Sequence, residues 1–218
     1  METLDTIAAR FDARAPRYDE SALHVALAAT AARFAAEGLT GDGGAPRRVL
    51  DVATGTGLVL RALADLALLP VPAQPGDVVG LDASAGMLAV ARTHLRDVTW
   101  VEGDAQRLPY DDGAFDLVTC VTGLHLMADP VAALAEWRRV LGPAGRVVLA
   151  TFASDAPAGA PRDPDDPHAR VGTLELLAGL AEAAGLRVRR GERWEHVVDD
   201  ADEADDVCLL TELTADAA

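Results

Sequence analysis

The chain has 218 residues, a formal net charge of −16 and hydrophobic residues at half of its positions. That length suits one domain with a core of its own, needing neither disulfides nor a structural metal, and the charge argues against nucleic acid or an anionic membrane as partner, because a polyphosphate would be repelled over most of the surface. All 19 basic residues are Arg, which excludes Schiff-base chemistry and a phosphate-loop lysine. The two Cys make no disulfide framework. No run approaches the length of a bilayer span, and METLDTIAAR lacks the basic-then-apolar pattern of an export signal, so a soluble, cytoplasmic protein is expected.

In chain order, a helix is predicted over Thr3–Arg14, stopped by Pro16, and a second over Ser21–Glu37, with Leu23, Leu27, Ala31 and Phe34 on one face and Gly38 as end signal. A loop at Gly41–Pro46 leads to a short apolar run, Arg48–Ala53, and an Ala/Leu helix, Leu58–Leu69, ended by Pro70. Asp77–Leu81 reads as a strand, Ser84–Leu95 as a helix, and Thr99–Glu102 and Phe115–Val121 as strands. Asp129 caps a helix that has Pro130 at its first position and ends near Leu141. Gly145–Phe152 is a fifth strand and Ala153–Arg170, rich in Pro and acid, a surface loop. A helix at Val171–Ala184 and a strand-like Leu186–Val198 follow. The acidic run Asp199–Asp206 has the character of a solvated helix start, and Val207–Leu213 fits either a closing strand or the end of that helix. Short apolar runs alternating with helices define an α/β protein with a doubly wound, mostly parallel sheet.

The informative loop is Val49–Gly57, with Asp51, Ala53, Gly55 and Gly57 between a strand and a helix. Glycines there let the backbone turn sharply and approach a ligand beyond the carboxyl ends of the strands, although a Gly-x-Gly also occurs at many tight turns that bind nothing. A dinucleotide fingerprint wants a third glycine where Leu60 stands, and the Asp51 carboxylate would repel a pyrophosphate while facing an ammonium group. The loop therefore suits a cationic or zwitterionic nucleoside. Asp82, closing the second strand, can take both ribose hydroxyls, and Asp104 with the Ala105 N–H can match the amino group and ring nitrogen of adenine.

These motifs resemble those of class I S-adenosylmethionine-dependent methyltransferases, of the branch that includes the ubiquinone/menaquinone-biosynthesis C-methyltransferases. The resemblance runs from Phe11 to Phe152, through Phe11-Asp12-x-x-Ala15-x-x-Tyr18-Asp19, Leu50–Gly57, Gly80–Ser84 with Met87-Leu88, Gly103-Asp104-Ala105-x-x-Leu108-Pro109, Phe115-Asp116, Leu124-His125, Asp129-Pro130 and Arg139-Val140-Leu141-x-Pro143-x-Gly145. It implies a Rossmann-like, seven-stranded sheet whose last strand is antiparallel or incomplete. It also implies one domain over residues 1–218, with N-terminal helices or lid (1–46), cofactor-binding core (47–152) and variable C-terminal part (153–218).

By the same resemblance, Gly55 and Gly57 would hold the methionine part of S-adenosylmethionine, with Asp51 on its amino group. Asp82 and the neighbouring Ala83 would lie at the ribose, Met87 would pack on adenine, and Asp104 with Ala105 would read its edge. Tyr18 would close over the cofactor, and Cys120 and Val121 would pass beside its carboxylate side. The implied activity is methyl transfer to oxygen or carbon of a small organic acceptor, leaving S-adenosylhomocysteine. The rival readings are a non-methylating cyclase or decarboxylase on the same fold, and a non-catalytic binding protein. A monomer or homodimer is expected.

An acceptor that must lose a proton needs a base. His125, just after the fourth strand and expected to face the pocket, is the first candidate, and His24 on the second helix the next. His94, His168 and His196 read as incidental surface positions and Trp137 as core. Where many relatives have two adjacent histidines this chain has His125-Leu126. Cys120 has an apolar setting and no nearby histidine partner, and no His, Cys or acid cluster has metal-ligand spacing, so neither a thiol nucleophile nor a metal centre is expected.

Overall fold

A strand that is buried at every position must be covered on both faces, and β1 (Val49–Val52), buried throughout, is an inner strand of a seven-stranded sheet. The computed structural model describes residues 2–38, 45–70, 74–154, 167–196 and 206–215. Strands β2 (Val78–Asp82), β3 (Thr99–Glu102), β4 (Phe115–Val121), β5 (Leu141–Phe152), β6 (Leu186–His196) and β7 (Asp206–Ala215) complete the order β3-β2-β1-β4-β5-β7-β6. The first five are parallel; β7 runs antiparallel to both of its neighbours.

Helices cover both faces. On one, α2 (Ala22–Gly38) and α3 (Leu58–Asp65) bury Leu27, Phe34, Leu60 and Leu63 against Val49, Val78, Leu117 and Val148. On the other, α5 (Pro130–Val140) and α6 (Leu174–Ala183) bury Trp137 and Leu177 with Leu50, Val79, Val118 and Leu149. Adjacent residues of one strand enter opposite cores, as the two-residue period of a strand requires. Trp137 is core, as read from the sequence, and its indole N–H donates to the Ala105 carbonyl at 2.8 Å. Two further helices, α1 (Leu4–Arg14) and α4 (Ala85–His94), meet near the ends of β1 and β2, and a 3-10 turn (Ala15–Glu20) links α1 to α2.

Most predicted boundaries fall within a few residues of those observed, and the differences have local causes. Helix α3 stops at Asp65 rather than Leu69 because Ala67 adopts a left-handed conformation (φ 54°) and the Leu68 N–H turns back to the Leu63 carbonyl at 2.9 Å. Helix α6 starts at Leu174, capped by the Thr173 hydroxyl, after a 3-10 turn over Pro167–Arg170. Val207–Leu213 belongs to a ten-residue strand, so the closing strand is antiparallel and complete, and Asp206 opens it rather than a helix. Residues 199–205, and 155–166 of the long loop, lie outside the described residues.

The outer strand β6 carries Arg187, Arg189, Arg190 and Arg193, charges that keep an open edge from pairing with another chain. Beneath it Glu212 of β7, fully buried, takes Arg190 Nε at 2.8 Å and Arg189 at 3.3 Å, with Arg146 of β5 at 3.6 Å. Both cysteines, Cys120 and Cys208, are buried thiols. Among the described residues no helix is long and apolar enough to cross a membrane.

Candidate active site

Beyond the carboxyl ends of β1, β2 and β4 the chain opens a cleft of about 620 Å³. Its floor comes from the turns that leave those strands. After β1, Ala53 (φ 52°) and Gly55 (φ 56°) are left-handed, and the Thr54 N–H is held by the Leu81 carbonyl at 3.0 Å. No atom comes nearer than 4.0 Å to where a Gly55 side chain would start, the nearest being Tyr18 Cε1, so the backbone there is open to a ligand. Gly57 faces away. A Cβ on it would stand 2.8 Å from the Trp100 ring, and with φ 79° it opens α3. Of the two glycines, Gly55 borders the cleft, and Gly57, which is not among its lining residues, lets α3 pack against Trp100.

Asp82 accepts the N–H groups of Gly55 and Ser84, each at 2.8 Å, and burial raises its pKa. Asp51 lies deeper, 1% exposed, accepting the hydroxyls of Thr54 and Thr119 at 2.6 Å each. Burial, and behind it the neighbouring Asp82 charge, push its carboxyl up to about 7. These are two nearly buried carboxylates at the tips of adjacent strands. Their hydrogen bonds among the described residues come from backbone N–H and hydroxyl groups, with no arginine.

Ala83, Met87, Ala105 and Val121 line the cleft with Tyr18, Ala53, Gly55 and Asp82, so eight of the expected cofactor residues surround one space. Asp51 borders an adjoining lobe. Asp104 does not face the cleft; its carboxylate accepts the Gln106 N–H at 2.8 Å and shapes the turn that presents Gly103 and Ala105. Cys120 is 1% exposed beneath the surface, and burial raises its thiol pKa far above the usual range, so it neither lines the cleft nor offers a thiolate.

His125 needs a larger correction. It is not among the residues that line the cleft, which include its neighbours Leu126 and Met127, and its ring packs 4.2 Å from the His168 ring and 6.3 Å from Phe152. Burial, with the His168 and arginine charges behind it, lowers its pKa to about 3. An imidazole that holds a proton so weakly, outside the residues lining the cleft, is a poor candidate for the base foreseen. His168, read as incidental, is its packing partner.

The roof is N-terminal. Leu4, Ile7 and Phe11, at helical spacing on α1, line the cleft although no residue of α1 is buried. Tyr18 hydrogen-bonds the Thr122 side chain and stacks on His24, ring centroids 4.6 Å apart and planes 7° from parallel. Two fastenings had no role in the sequence reading. Asp12 holds α1 to the start of α4, and Asp19 takes the Thr56 hydroxyl at 2.5 Å and Arg61 at 2.6 Å at the start of α3. The signal was their spacing on either side of Tyr18, each acid fitting a helix N-terminus.

With this geometry in place, a sequence-family profile described as a methyltransferase domain matches residues 50–149. Over 149 residues the chain is 40% identical to a demethylmenaquinone methyltransferase from Renibacterium salmoninarum, covering 68% of this chain and 59% of that one. It is 35% identical to a ubiquinone/menaquinone biosynthesis C-methyltransferase from Citrifermentans bemidjiense, over 69% and 64% of the two chains. The chain thus spans about three-fifths of the length of these curated relatives. Among solved structures, an S-adenosylmethionine-dependent methyltransferase from Thermotoga maritima superposes with a TM-score of 0.63, at 21% identity and over 93% and 97% of the chains, a likeness of fold. Residues 50–149 thus form a methyltransferase domain of the kind these relatives carry. The curated relatives that the chain is similar to are methyltransferases of ubiquinone and menaquinone biosynthesis.

Proposed function

We propose that the protein transfers a methyl group from S-adenosylmethionine to oxygen or carbon of a small, apolar, aromatic acceptor. The observation that carries this reading is the pair Asp51 and Asp82 flanking Gly55, one carboxylate buried and the other half-buried, with no cationic partner for either among the described residues. A ligand bearing an ammonium group and ribose hydroxyls meets that demand, and the open, left-handed Gly55 leaves room for its backbone-hugging approach. The residues present therefore fit the cofactor.

When bound, S-adenosylmethionine supplies a methyl group on a cationic sulfur, activated toward in-line displacement. The chain's own part is binding, alignment and exclusion of water. Asp82 orients the nucleoside, and Met87, Ala83 and Ala105 give the adenine an apolar bed. Tyr18, held by Thr122, and the α1 stripe Leu4–Ile7–Phe11 cover the reacting end. Alignment of this kind is worth roughly 7–11 kcal/mol of barrier. The relatives' names support a ring acceptor, and so does the apolar roof, against which an aromatic ring would lie.

Calorimetric titration with S-adenosylmethionine and S-adenosylhomocysteine tests the site. Micromolar binding that Asp82→Ala weakens tenfold or more, followed by transfer of labelled methyl to phenols or hydroquinones, is the expected result. Absence of heat with either ligand, from folded protein, overturns the proposal.

A further inference from the structure

A second lobe of about 350 Å³ opens from the main cleft, sharing Tyr18, Ala53, Gly55, Val121 and Thr122 with it. Two groups able to carry charge line this lobe and not the main cleft: Asp51 at the tip of β1 and His24 in the first turn of α2. Both are held in place. Asp51 is fixed by two threonine hydroxyls, at 2.6 Å each. The His24 ring lies parallel to Tyr18 at 4.6 Å between centroids, and its backbone N–H is capped by Ser21 Oγ at 3.3 Å. Ala28, Leu58 and Val59 make part of the wall apolar.

A carboxylate and an imidazole lining one lobe, among partly apolar neighbours, match a ligand end that carries both an ammonium and a carboxylate group. We infer that His24 binds the carboxylate of the amino-acid end of S-adenosylmethionine while Asp51 receives its ammonium, so that this lobe reads the zwitterion and the main cleft takes nucleoside and acceptor. The inference rests on the cofactor reading above. It gives the Tyr18–His24 stack a purpose: one face of the tyrosine closes the cleft, and the other sets the angle of the imidazole.

The test compares S-adenosylhomocysteine with 5′-methylthioadenosine, which keeps the nucleoside and sulfur and lacks the amino-acid end. His24→Phe preserves the stack on Tyr18 and removes the ring N–H. It is expected to weaken S-adenosylhomocysteine tenfold or more, about 1.4 kcal/mol, and to leave methylthioadenosine within twofold, which also shows the variant folded. His24→Gln, which restores an N–H donor, is expected to recover part of the loss. Equal weakening of both ligands would assign His24 a structural role through Tyr18, and no change in either would remove it from the site; each overturns the inference. Wild-type protein that binds both ligands equally tightly overturns it as well and leaves the cofactor reading standing. Wild-type protein that binds neither brings down both.

Discussion

Asp12, in α1, accepts two hydrogen bonds from the start of α4, one from Ser84 Oγ at 2.5 Å and one from the Gly86 N–H at 2.8 Å. These bonds hold its carboxyl below the usual carboxylate range. Because α1 has no fully buried residue, this carboxylate is a main anchor of the helix over the cleft. Asp12→Ala is expected to speed tryptic cleavage at Arg10 and Arg14 and to weaken S-adenosylhomocysteine binding. Limited proteolysis with mass analysis checks the first part, and an unchanged cleavage rate would contradict the anchoring role.

Two buried groups set opposite pH dependences of stability. Asp51 titrates near 7 when folded, against an ordinary 3.8. The folded state therefore holds a proton that the unfolded state has released, and stability falls as pH rises from about 4 to 7. His125 titrates near 3 against 6.5. Its unfolded form takes up a proton that the folded form refuses, and stability falls as pH drops through that window. Between about pH 4 and 6.5 the two slopes oppose each other, each approaching 1.4 kcal/mol per pH unit. Denaturant melts across this range should show Asp51→Asn with the steeper rise of stability with pH, and His125→Phe with the steeper fall. Identical slopes in both variants would refute the assignment.

Gly80 of β2 lies under the ring of Trp100, its pairing partner on β3. A Cβ there would stand 2.3 Å from Trp100 Cζ3, so Gly80→Ala must displace the indole, at a cost of about 1–3 kcal/mol. The same ring touches Gly57, so the displacement should reach the cofactor loop. Trp100→Leu in the Gly80→Ala background is expected to regain much of the lost stability. A double-mutant cycle by denaturant unfolding reads the coupling, and additive effects would show that the contact is slack.

Glu212 is fully buried among Arg146, Arg189 and Arg190, and Arg146 and Arg190 also donate to the carbonyls of Gly38 and Phe34 at the end of α2. Glu212→Gln leaves those guanidinium groups without their shared counter-ion, a loss of about 3 kcal/mol on the scale of broken buried pairs. None of these residues lines the cleft, so affinity for S-adenosylhomocysteine at low temperature should stay within twofold while the melting temperature drops. A fall in affinity without loss of stability would be the contrary result.

What the sequence disclosed is what a few consecutive residues decide. Asp129 caps α5 through the N–H groups of Val131 and Ala132, both three or fewer positions away, and β1 is buried throughout, with Val and Leu at three of its four positions, because both of its faces are covered. The strand-end positions of Asp51, Asp82 and Ala105 follow from the same local patterns. What stayed hidden depends on a partner far along the chain. His125 packs against His168 and Phe152, and the absent side chain of Gly57 makes room for Trp100. The left-handed Ala67 that ends α3 carries no glycine to announce it.

The position of β7 sets an order of events for the growing chain. It is the last strand in sequence, yet it stands between β5 and β6 and pairs with both. Until residues 206–215 have left the ribosome, β5 has one neighbour and β6 has none in this sheet. The nascent protein therefore carries an unpaired and largely apolar edge while the cofactor end of the sheet can already be assembled. The same stretch that completes the sheet removes its most adhesive surface, so slow synthesis over that stretch prolongs the interval in which chains can stick to one another.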